Sequence, residues 1–401
     1  MVLAVRRVDV NVAPVAGAMF TGAGTIYLVQ TVGGVLYAIY IDTGDDVVFK
    51  KSTNGGLTWS PATVIFAGTT TQLAVWYDRW SNISAGLIHL AYTESATDDT
   101  LYRTINTESS DALSTQTVIF AGGSTAGGNH LSIARAVGGN VYCKTCIDAG
   151  AEGGFFRLPN ANVPNGAWDA ARTVDETLAT GDQMILLPDY DAADTQDMMA
   201  IFWDASANEI SRKLYDDSGN SWAEASIATS MTELAATTAW PNFAVAMDIA
   251  NTRHFLIAWS NTDTSTARLR CWEIQAGSIT ALTDVVSSST DDQGLCALAL
   301  DINTGWLYAF YGGATAGSET WNSSIRVYYK VSKDSGSTWG PETLLTTNDT
   351  QNLGISFLAC TPRFVDGDNG FAVVRANSGL NQSMVCSASV LRPSSMGQLG
   401  I

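Results

Sequence analysis

Residues 47–68, VVFKKSTNGGLTWSPATVIFAG, decide the fold. They predict two strands joined by a tight turn, because β-branched and apolar runs flank a polar, glycine-containing stretch. The turn places short polar residues, a glycine and a tryptophan at fixed spacing: Ser52-x-Asn54-x-Gly56-x-Thr58-Trp59. A short polar side chain can accept hydrogen bonds from the amides of its own turn, and glycine adopts a positive φ at no steric cost. The tryptophan is expected to lie under the turn between two sheets, where it fixes the direction of the second strand.

The same pattern occurs three times in the chain. The two further copies are Tyr215-x-Asp217-x-Gly219-x-Ser221-Trp222 and Ser332-x-Asp334-x-Gly336-x-Thr338-Trp339. Each follows a strand-like run, and a shortened copy, NGAW, stands at residues 165–168. The repeat resembles the Asp-box, or BNR repeat, of sialidase-like β-propellers. That resemblance implies a propeller fold in which the box residues are structural and lie on the face opposite the ligand site.

Seven apolar runs with similar endings recur at intervals of roughly 50 to 65 residues. They are VLYAIYID (35–42), LIHLAYTE (87–94), VYCKTCID (141–148), MMAIFWD (198–204), HFLIAWSN (254–261), WLYAFYGG (306–313) and FAVVRAN (371–377). A period near 50 that holds four short strands is typical of propeller blades. The sequence therefore predicts an all-β protein with a single β-propeller domain, residues 1–401, of seven four-stranded blades. Six blades with the last segment packed outside the ring are the alternative.

The two ends of the chain are expected to meet in the last blade. This blade lacks a fourth strand of its own, whereas the strand-like run within residues 1–12 has no blade. Pairing the N-terminal run as the outer strand of the last blade closes the ring and removes two open sheet edges. Residues 391–401 are then a C-terminal tail.

Composition limits the partners that the protein can have. The chain has 21 basic and 39 acidic residues, a net charge of −18, and 46% hydrophobic residues. A sequence-specific nucleic-acid reader is not expected, because phosphate contacts need clustered lysine and arginine. No run of 18 apolar residues predicts membrane insertion, and the N-terminus does not resemble a secretory signal.

The cysteines and histidines predict neither a metal site nor a cofactor. Cys143 and Cys146 are three residues apart in a strand-like run and point to opposite faces. Cys360 and Cys386 are expected on the first and third strands of one blade, too far apart for a disulfide. The six cysteines are predicted to be free, buried thiols. The three histidines show no ligand spacing.

The candidate ligand residues are an acidic rim and one tryptophan. The loops from the second to the third strand of each blade are expected on one face, where aspartates recur: Asp42, Asp46, Asp98, Asp99, Asp148, Asp204 and Asp263. They would bind a cation or a polyhydroxylated ligand; alternatively, aspartate is simply favoured in turns. Trp321 is a candidate stacking platform for a sugar ring, and alternatively an oligomer contact or a residue packed on its own blade.

The resemblance to sialidases ends at their catalytic motifs. That family carries an Arg-Ile-Pro-like motif on its first blade, three arginines that bind the substrate carboxylate, a Tyr–Glu nucleophile pair and an aspartate acid/base. The first blade here, GTIYLVQTVGG, has no arginine, and no motif supports Arg135, Arg363 and Arg375 as a triad. No catalytic residue is predicted, and enzyme activity is the less expected outcome. A carboxylate pair at the roughly 5–10 Å separation of glycoside hydrolases stays open.

Two functions are predicted. The first is a non-catalytic structural or interaction propeller, a virion or tail component of a bacteriophage made in the host cytoplasm, as a nozzle, hub or surface-attachment protein. Its partners would be other virion proteins, further copies of itself in a ring, or a cell-surface glycan. The alternative is an extracellular or cell-surface propeller that binds glycans or acts as a sialidase-like glycoside hydrolase. The missing sialidase motifs and the lack of resemblance to a secretory signal favour the first. The surface, poor in lysine and rich in threonine, serine, asparagine and glycine, looks extracellular, and together with synthesis in the cytoplasm it is typical of a virion component.

Overall fold

The computed structural model describes most of the chain between residues 4 and 389. The described residues are 4–12, 27–31, 33–54, 58–77, 86–122, 131–145, 154–174, 182–190, 192–231, 243–260, 267–275, 277–289, 293–301, 304–313, 326–344, 355–360, 363–364, 371–377 and 382–389. The predicted tail, residues 391–401, lies outside them.

The described strands form seven sheets, which we number as blades in chain order. A first strand, β1 (Ala4–Val12), belongs to the last blade. Blade 1 comprises β2 (Tyr27–Gln30), β3 (Leu36–Ile41), β4 (Val47–Ser52) and β5 (Thr63–Phe66). Blade 2 comprises β6 (Thr70–Tyr77), β7 (Leu87–Glu94), β8 (Asp99–Asn106), β9 (Ala112–Leu113) and β10 (Thr117–Phe120). Blade 3 comprises β11 (Ser132–Arg135), β12 (Val141–Lys144) and β13 (Phe155–Leu158).

The second half of the chain continues the pattern. Blade 4 comprises β14 (Gln183–Pro188), β15 (Met198–Asp204), β16 (Glu209–Asp216) and β17 (Ser221–Thr229). Blade 5 comprises β18 (Phe243–Asp248), β19 (Arg253–Ser260), β20 (Ala267–Gln275), β21 (Ser278–Ala281) and β22 (Val286–Ser289). The remaining strands are β23 (Gln293–Asp301), β24 (Leu307–Gly313), β25 (Arg326–Ser332), β26 (Thr343–Leu344), β27 (Ile355–Cys360), β28 (Arg363–Phe364), β29 (Phe371–Asn377) and β30 (Gln382–Ser389). Blade 6 contains β23–β26 with β28, and blade 7 contains β27, β29, β30 and β1.

The prediction of an all-β propeller is confirmed, and the seven apolar runs form the second strand of each blade. Six blades are built on four antiparallel strands, whereas blade 3 has three among the described residues, so the expectation of seven four-stranded blades is corrected. In place of its fourth strand, a 3-10 turn (Asn160–Asn162) is followed by a single bridge between Phe155 and Arg172. The intervening sequence, NANVPNGAWDA, has no strand-like alternation and includes a proline, which cannot donate to a ladder.

The N-terminal strand closes the ring as predicted. The β1 strand pairs antiparallel with β30, from Ala4 opposite Ser389 to Val12 opposite Ser383. On the other side of blade 7, β27 lies against β2 of blade 1. The first and last blades are therefore neighbours, and the outer edge of β30 is covered.

The core lies between neighbouring blades. The middle strands are buried on both faces, as in β3, where all six residues are buried. Residues that alternate along a strand pack against different neighbours. In β15, Met199 and Ile201 contact the cluster shared with blade 5, whereas Ala200 and Phe202 contact the cluster shared with blade 3. Outer strands are more exposed, and Val64 and Val118 of the repeated TVIFAG segments are 48% and 47% exposed.

The cysteine prediction is confirmed where the structure describes the residues. Cys143, Cys271 and Cys296 are buried and are not joined in disulfides, and burial raises the pKa of the Cys271 thiol to about 12. The backbones of Cys360 and Cys386 both pair with Val373, one from each side, so two sheet spacings separate them. Cys146 lies outside the described residues.

Candidate functional site

Two described residues of the predicted acidic rim, Asp42 and Asp204, bond within their own turns. The Asp42 carboxylate accepts the N–H groups of Gly44 at 2.8 Å and Asp46 at 3.2 Å. Asp204 likewise accepts the Ala207 N–H at 2.7 Å and the Ser206 hydroxyl at 2.8 Å. Asp98 is exposed and has a φ of 55°. These contacts agree with the turn-forming interpretation; Asp148, Asp263 and Trp321 lie outside the described residues.

Two further rim residues hold the repeated TVIFAG segments. Asp46 accepts the N–H of Gly68 at 3.0 Å, and Asp99 accepts the N–H of Gly122 at 2.9 Å. Both bonds join the start of a third strand to the end of the fourth strand of the same blade. The verbatim repeat is therefore matched by a repeated hydrogen bond.

The first and third repeat turns, residues 52–59 and 332–339, share one hydrogen-bond pattern. The second polar residue accepts the N–H four residues later: Asn54 from Thr58 and Asp334 from Thr338, both at 2.9 Å. In the third turn, Ser332 also accepts the Gly336 N–H at 2.7 Å, and Gly336 has a φ of 84°. The corresponding Gly56 lies outside the described residues.

The second repeat turn, residues 215–222, is built differently. Asp216, rather than the expected Asp217, closes the turn by accepting the Gly219 N–H at 2.7 Å. The Asp217 carboxylate instead pairs with two arginines of blade 3, Arg157 at 2.7 Å and Arg172 at 3.0 Å. The short polar residue at this position thus connects two blades.

The tryptophans of these turns dock on the preceding blade. Trp222 donates its Nε1–H to the Thr173 carbonyl and Trp339 donates to the Thr283 carbonyl, both at 3.0 Å. Trp168 of the shortened copy lies 3.4 Å from the Thr117 hydroxyl of blade 2. Trp59 of the first copy is half-buried. The repeat turns therefore fasten each blade to the one before it.

Blade 2 has an equivalent contact that the sequence pattern does not reveal. Asp111, in the turn before β9, accepts the Tyr37 hydroxyl at 2.5 Å and pairs with the Lys51 ammonium at 2.9 Å, both on blade 1. The turn carries neither the glycine nor the tryptophan of the repeat. Its position before the fourth strand is the signal that could have identified it.

A groove of about 570 Å³ lies between blades 4 and 5. Its polar lining residues are Asp189, Asp197, Arg212, Asp216, Trp222 and His254, and its apolar ones include Met199, Leu214 and Ile274. The groove opens at the end of the blades that carries the repeat turns, because Asp216 ends β16 and Ser221 begins β17. This is opposite to the end where ligand residues were expected.

The groove combines one buried cation with three carboxylates. Arg212 lies on β16 and is 7% exposed, and its Nε–H has no hydrogen-bond partner within the described part of the chain. Burial raises the pKa of Asp197. The Gly219 N–H and the Ser218 hydroxyl hold the pKa of Asp216 below its usual value.

The walls of the groove are held by neighbouring contacts. Asp197 accepts the Asp217 N–H at 2.9 Å. His254, 3% exposed, stacks on Tyr190 with ring centroids 5.0 Å apart. On the other face of blade 4, towards blade 3, Trp222 packs against Phe155 and Tyr215 at centroid distances of 5.1 and 4.9 Å. The aromatic and charged groups thus have fixed positions around the groove.

Three residues of the second repeat turn, Tyr215, Ser221 and Trp222, line this groove, and they were expected to be structural. Arg212, Asp189 and Asp197 were not predicted. Two consecutive basic residues inside the strand EISRKLYD are the signal that could have drawn attention to Arg212. Arg135 is buried and donates to Gly139 and Asn160 of its own blade, and the side chains of Arg363 and Arg375 lie outside the described part of the structure.

The described residues contain neither a candidate metal site nor a candidate membrane-spanning helix. No group of three or more histidine, cysteine or acidic side chains there could hold a metal ion. Nor does this part of the chain contain a helix with the length and apolar character of a membrane span.

No protein-family model matches the chain, and no curated protein matches its sequence. Solved structures do match. The BP39L lectin from Burkholderia pseudomallei aligns over 90% of this chain and 94% of its own, at 12% identity and a TM-score of 0.63. A polysaccharide lyase, the PL25 ulvan lyase bound to -[GlcA(1-4)Rha3S]-, aligns over 96% of both chains at 9% identity and a TM-score of 0.56. At these identities the likenesses show the propeller fold alone.

Proposed function

We propose that this protein is a carbohydrate-binding β-propeller and that the groove between blades 4 and 5 holds the sugar. The observation that carries the proposal is the lining of the groove. It offers the Arg212 guanidinium as a donor, three carboxylates as acceptors, and the side chains of Met199, Leu214 and Ile274 for the apolar face of a sugar ring. Its volume lies in the range of small-molecule sites.

The comparisons support this proposal over a purely structural role. The two propellers described above are named as a lectin and as a polysaccharide lyase, and both names refer to carbohydrates. Because fold does not imply function, that support is an analogy, and the groove carries the chemical argument.

Binding without turnover is the expected behaviour. The catalytic motifs of sialidases are missing from the sequence, and Asp216, the groove carboxylate with the lowered pKa, is bonded into its own turn. A glycan array probed with the full chain, followed by mass spectrometry of the glycans that bind, tests both statements. We expect bound glycans of unchanged mass; a shortened product would identify an enzyme, and an array without any bound glycan would contradict the proposal.

A place in a bacteriophage virion stays a prediction from composition. It is compatible with glycan binding, since a surface-attachment protein of a virion would bind a host glycan. The native mass of the purified protein tests its structural part: a closed ring of several copies would support a nozzle or hub, and a monomer would contradict self-assembly into a ring.

A further inference from the structure

The groove between blades 4 and 5 contains a buried cation without a described partner. Arg212 is 7% exposed, its Nε–H is buried without an acceptor, and it forms no ion pair with any residue that the structure describes. An unpaired buried guanidinium costs free energy. Such a group in a folded protein calls for a bound water, ion or ligand as its partner.

The acceptors in the same groove are only partly used. The described hydrogen bonds of Asp197 and Asp216 all end on Oδ1 of each carboxylate: from the Asp217 N–H at 2.9 Å, and from the Gly219 N–H and Ser218 hydroxyl at 2.7 Å. Among the described residues, Oδ2 of both carboxylates has no donor. The groove therefore presents free acceptors beside the free donors of Arg212.

Charged ligands fit this combination poorly. An anion would pair with Arg212 but would meet three carboxylates in a protein with a net charge of −18. A cation would pair with the carboxylates but would leave Arg212 without an acceptor and repel it. Sugar hydroxyl groups both accept and donate hydrogen bonds, so one uncharged ring can serve the arginine and the carboxylates together.

We propose that the groove selects an uncharged sugar residue, anchored by Arg212, and discriminates against sugars that carry a carboxylate or a sulfate group. This inference rests on the proposed carbohydrate-binding function and specifies its ligand class. The oxygens of the sugar accept from Arg212, its hydroxyls donate to Asp197 and Asp216, and its apolar face packs on Leu214 and Ile274.

The test compares two arginine variants on neutral and acidic oligosaccharides. In Arg212→Met, a side chain of similar length removes the donors. Arg270→Met is the matched control, because Arg270 also lies on the third strand of a blade but stacks on Trp272, 4.7 Å from the ring centroid, and does not line the groove. Affinities are measured by calorimetry for neutral oligosaccharides and for their sialylated, uronic-acid and sulfated counterparts.

We expect the unmodified protein to bind a neutral oligosaccharide more tightly than its acidic counterparts. Arg212→Met should weaken this binding about 10- to 100-fold, the loss expected for hydrogen bonds to a charged donor, whereas Arg270→Met should leave it unchanged. The Tm of Arg212→Met should not fall, because the substitution removes an unpaired buried charge. An unchanged Tm separates the loss of binding from a loss of folding.

Three results would overturn the inference, and they are distinguishable. Tighter binding of acidic sugars would refute the ligand class and leave carbohydrate binding intact. Neutral binding that Arg212→Met does not weaken would refute the anchor. No binding of any oligosaccharide would refute the proposed function together with the inference.

Discussion

At the scale of single residues, Asp217 makes a charged contact between blades 3 and 4. Its carboxylate, 10% exposed, pairs with Arg157 and Arg172 of blade 3. When one carboxylate pairs with two arginines, its side chain is immobilised only once. The loss of side-chain entropy per ion pair is therefore smaller than for two separate pairs. On blade 3, this contact lies close to the Thr173 carbonyl that accepts from Trp222. The ion pairs and the tryptophan hydrogen bond therefore belong to one interface, between blades 3 and 4.

Asp217→Ala should therefore destabilise the protein. Arg157 and Arg172 would each lose a carboxylate partner while Arg157 keeps its pair with Asp169, and we expect a cost of about 1 to 3 kcal/mol of the free energy of unfolding. Asp216→Ala is the control, since this neighbouring carboxylate is exposed and bonds only within its turn. Urea unfolding should show a clearly smaller loss for the control; equal losses would contradict the role of the pairing between blades.

Asp197 gives stability a dependence on pH. Burial raises its pKa, and the carboxylates of Asp189, Asp194 and Asp216 add to the rise. Other ionisable groups of the same groove are Arg212 and His254. The folded protein holds the Asp197 proton more tightly than the unfolded chain does, so this residue's stabilising contribution is present at low pH and is lost as the pH rises through the folded pKa.

Asp197→Asn should remove that penalty, because an amide oxygen can still accept the Asp217 N–H. We expect a Tm equal to or above that of the unmodified protein at neutral pH, with the difference shrinking in acid, where Asp197 is protonated in both states. Thermal melts of both proteins, from acid to neutral pH, check the sign of the Tm difference. A variant that is less stable at neutral pH would show that the negative charge itself supports the fold.

At the scale of elements, the repeat turn acts as a fastener between blades. Trp339 shows this: it donates to the Thr283 carbonyl of blade 5 and packs on the cluster shared by blades 5 and 6. Trp339→Phe removes mainly the hydrogen bond and should cost about 1 kcal/mol, whereas Trp339→Ala should cost about 2 to 4 kcal/mol.

The control is Val118→Ala on an outer strand, where the side chain is 47% exposed. A change at such a surface position should stay within about 0.5 kcal/mol. Denaturant midpoints measure all three variants. If Trp339→Ala were as mild as Val118→Ala, the turn would not hold the blades together.

How much of each element could be predicted depends on the range of its contacts. The middle strands, such as β15, were predictable because burial on both faces requires a continuous apolar run. The two-residue parallel pairing of β28 with β23 was not, because it depends on a contact across 63 positions of the chain, from Leu300 to Arg363. The role of Asp111 was not predicted for the same reason, since its partners lie on another blade.

The candidate site was less predictable than the fold. The sequence pattern identified Tyr215, Ser221 and Trp222 but assigned them a structural role only. The rim aspartates proved to bond within their own turns or to the end of the fourth strand of their blade. The role of Arg212 depends on which groups of blade 5 face blade 4 across the groove. Local sequence carries no information on that arrangement.

At the scale of the whole molecule, closure of the ring depends on one strand. The β1 strand is nine residues long and covers the edge of β30. Removing residues 1–12 should expose that edge, lower the Tm and increase association between chains, because an unpaired edge strand can pair with another copy.

Removal of residues 391–401, the predicted tail, is the control and should have a smaller effect. Thermal melts and light scattering compare both truncations with the full chain. A chain without residues 1–12 that melts like the full-length protein would contradict the closure by β1.

The central claim is that an uncharged sugar binds between blades 4 and 5. A crystal structure of the full chain with its best-bound neutral oligosaccharide tests it most directly. The account predicts a sugar ring in the groove, within hydrogen-bond distance of Arg212 and in contact with Leu214 and Ile274. A sugar bound at the opposite end of the blades, among the loops that carry Asp42 and Asp204, would contradict it.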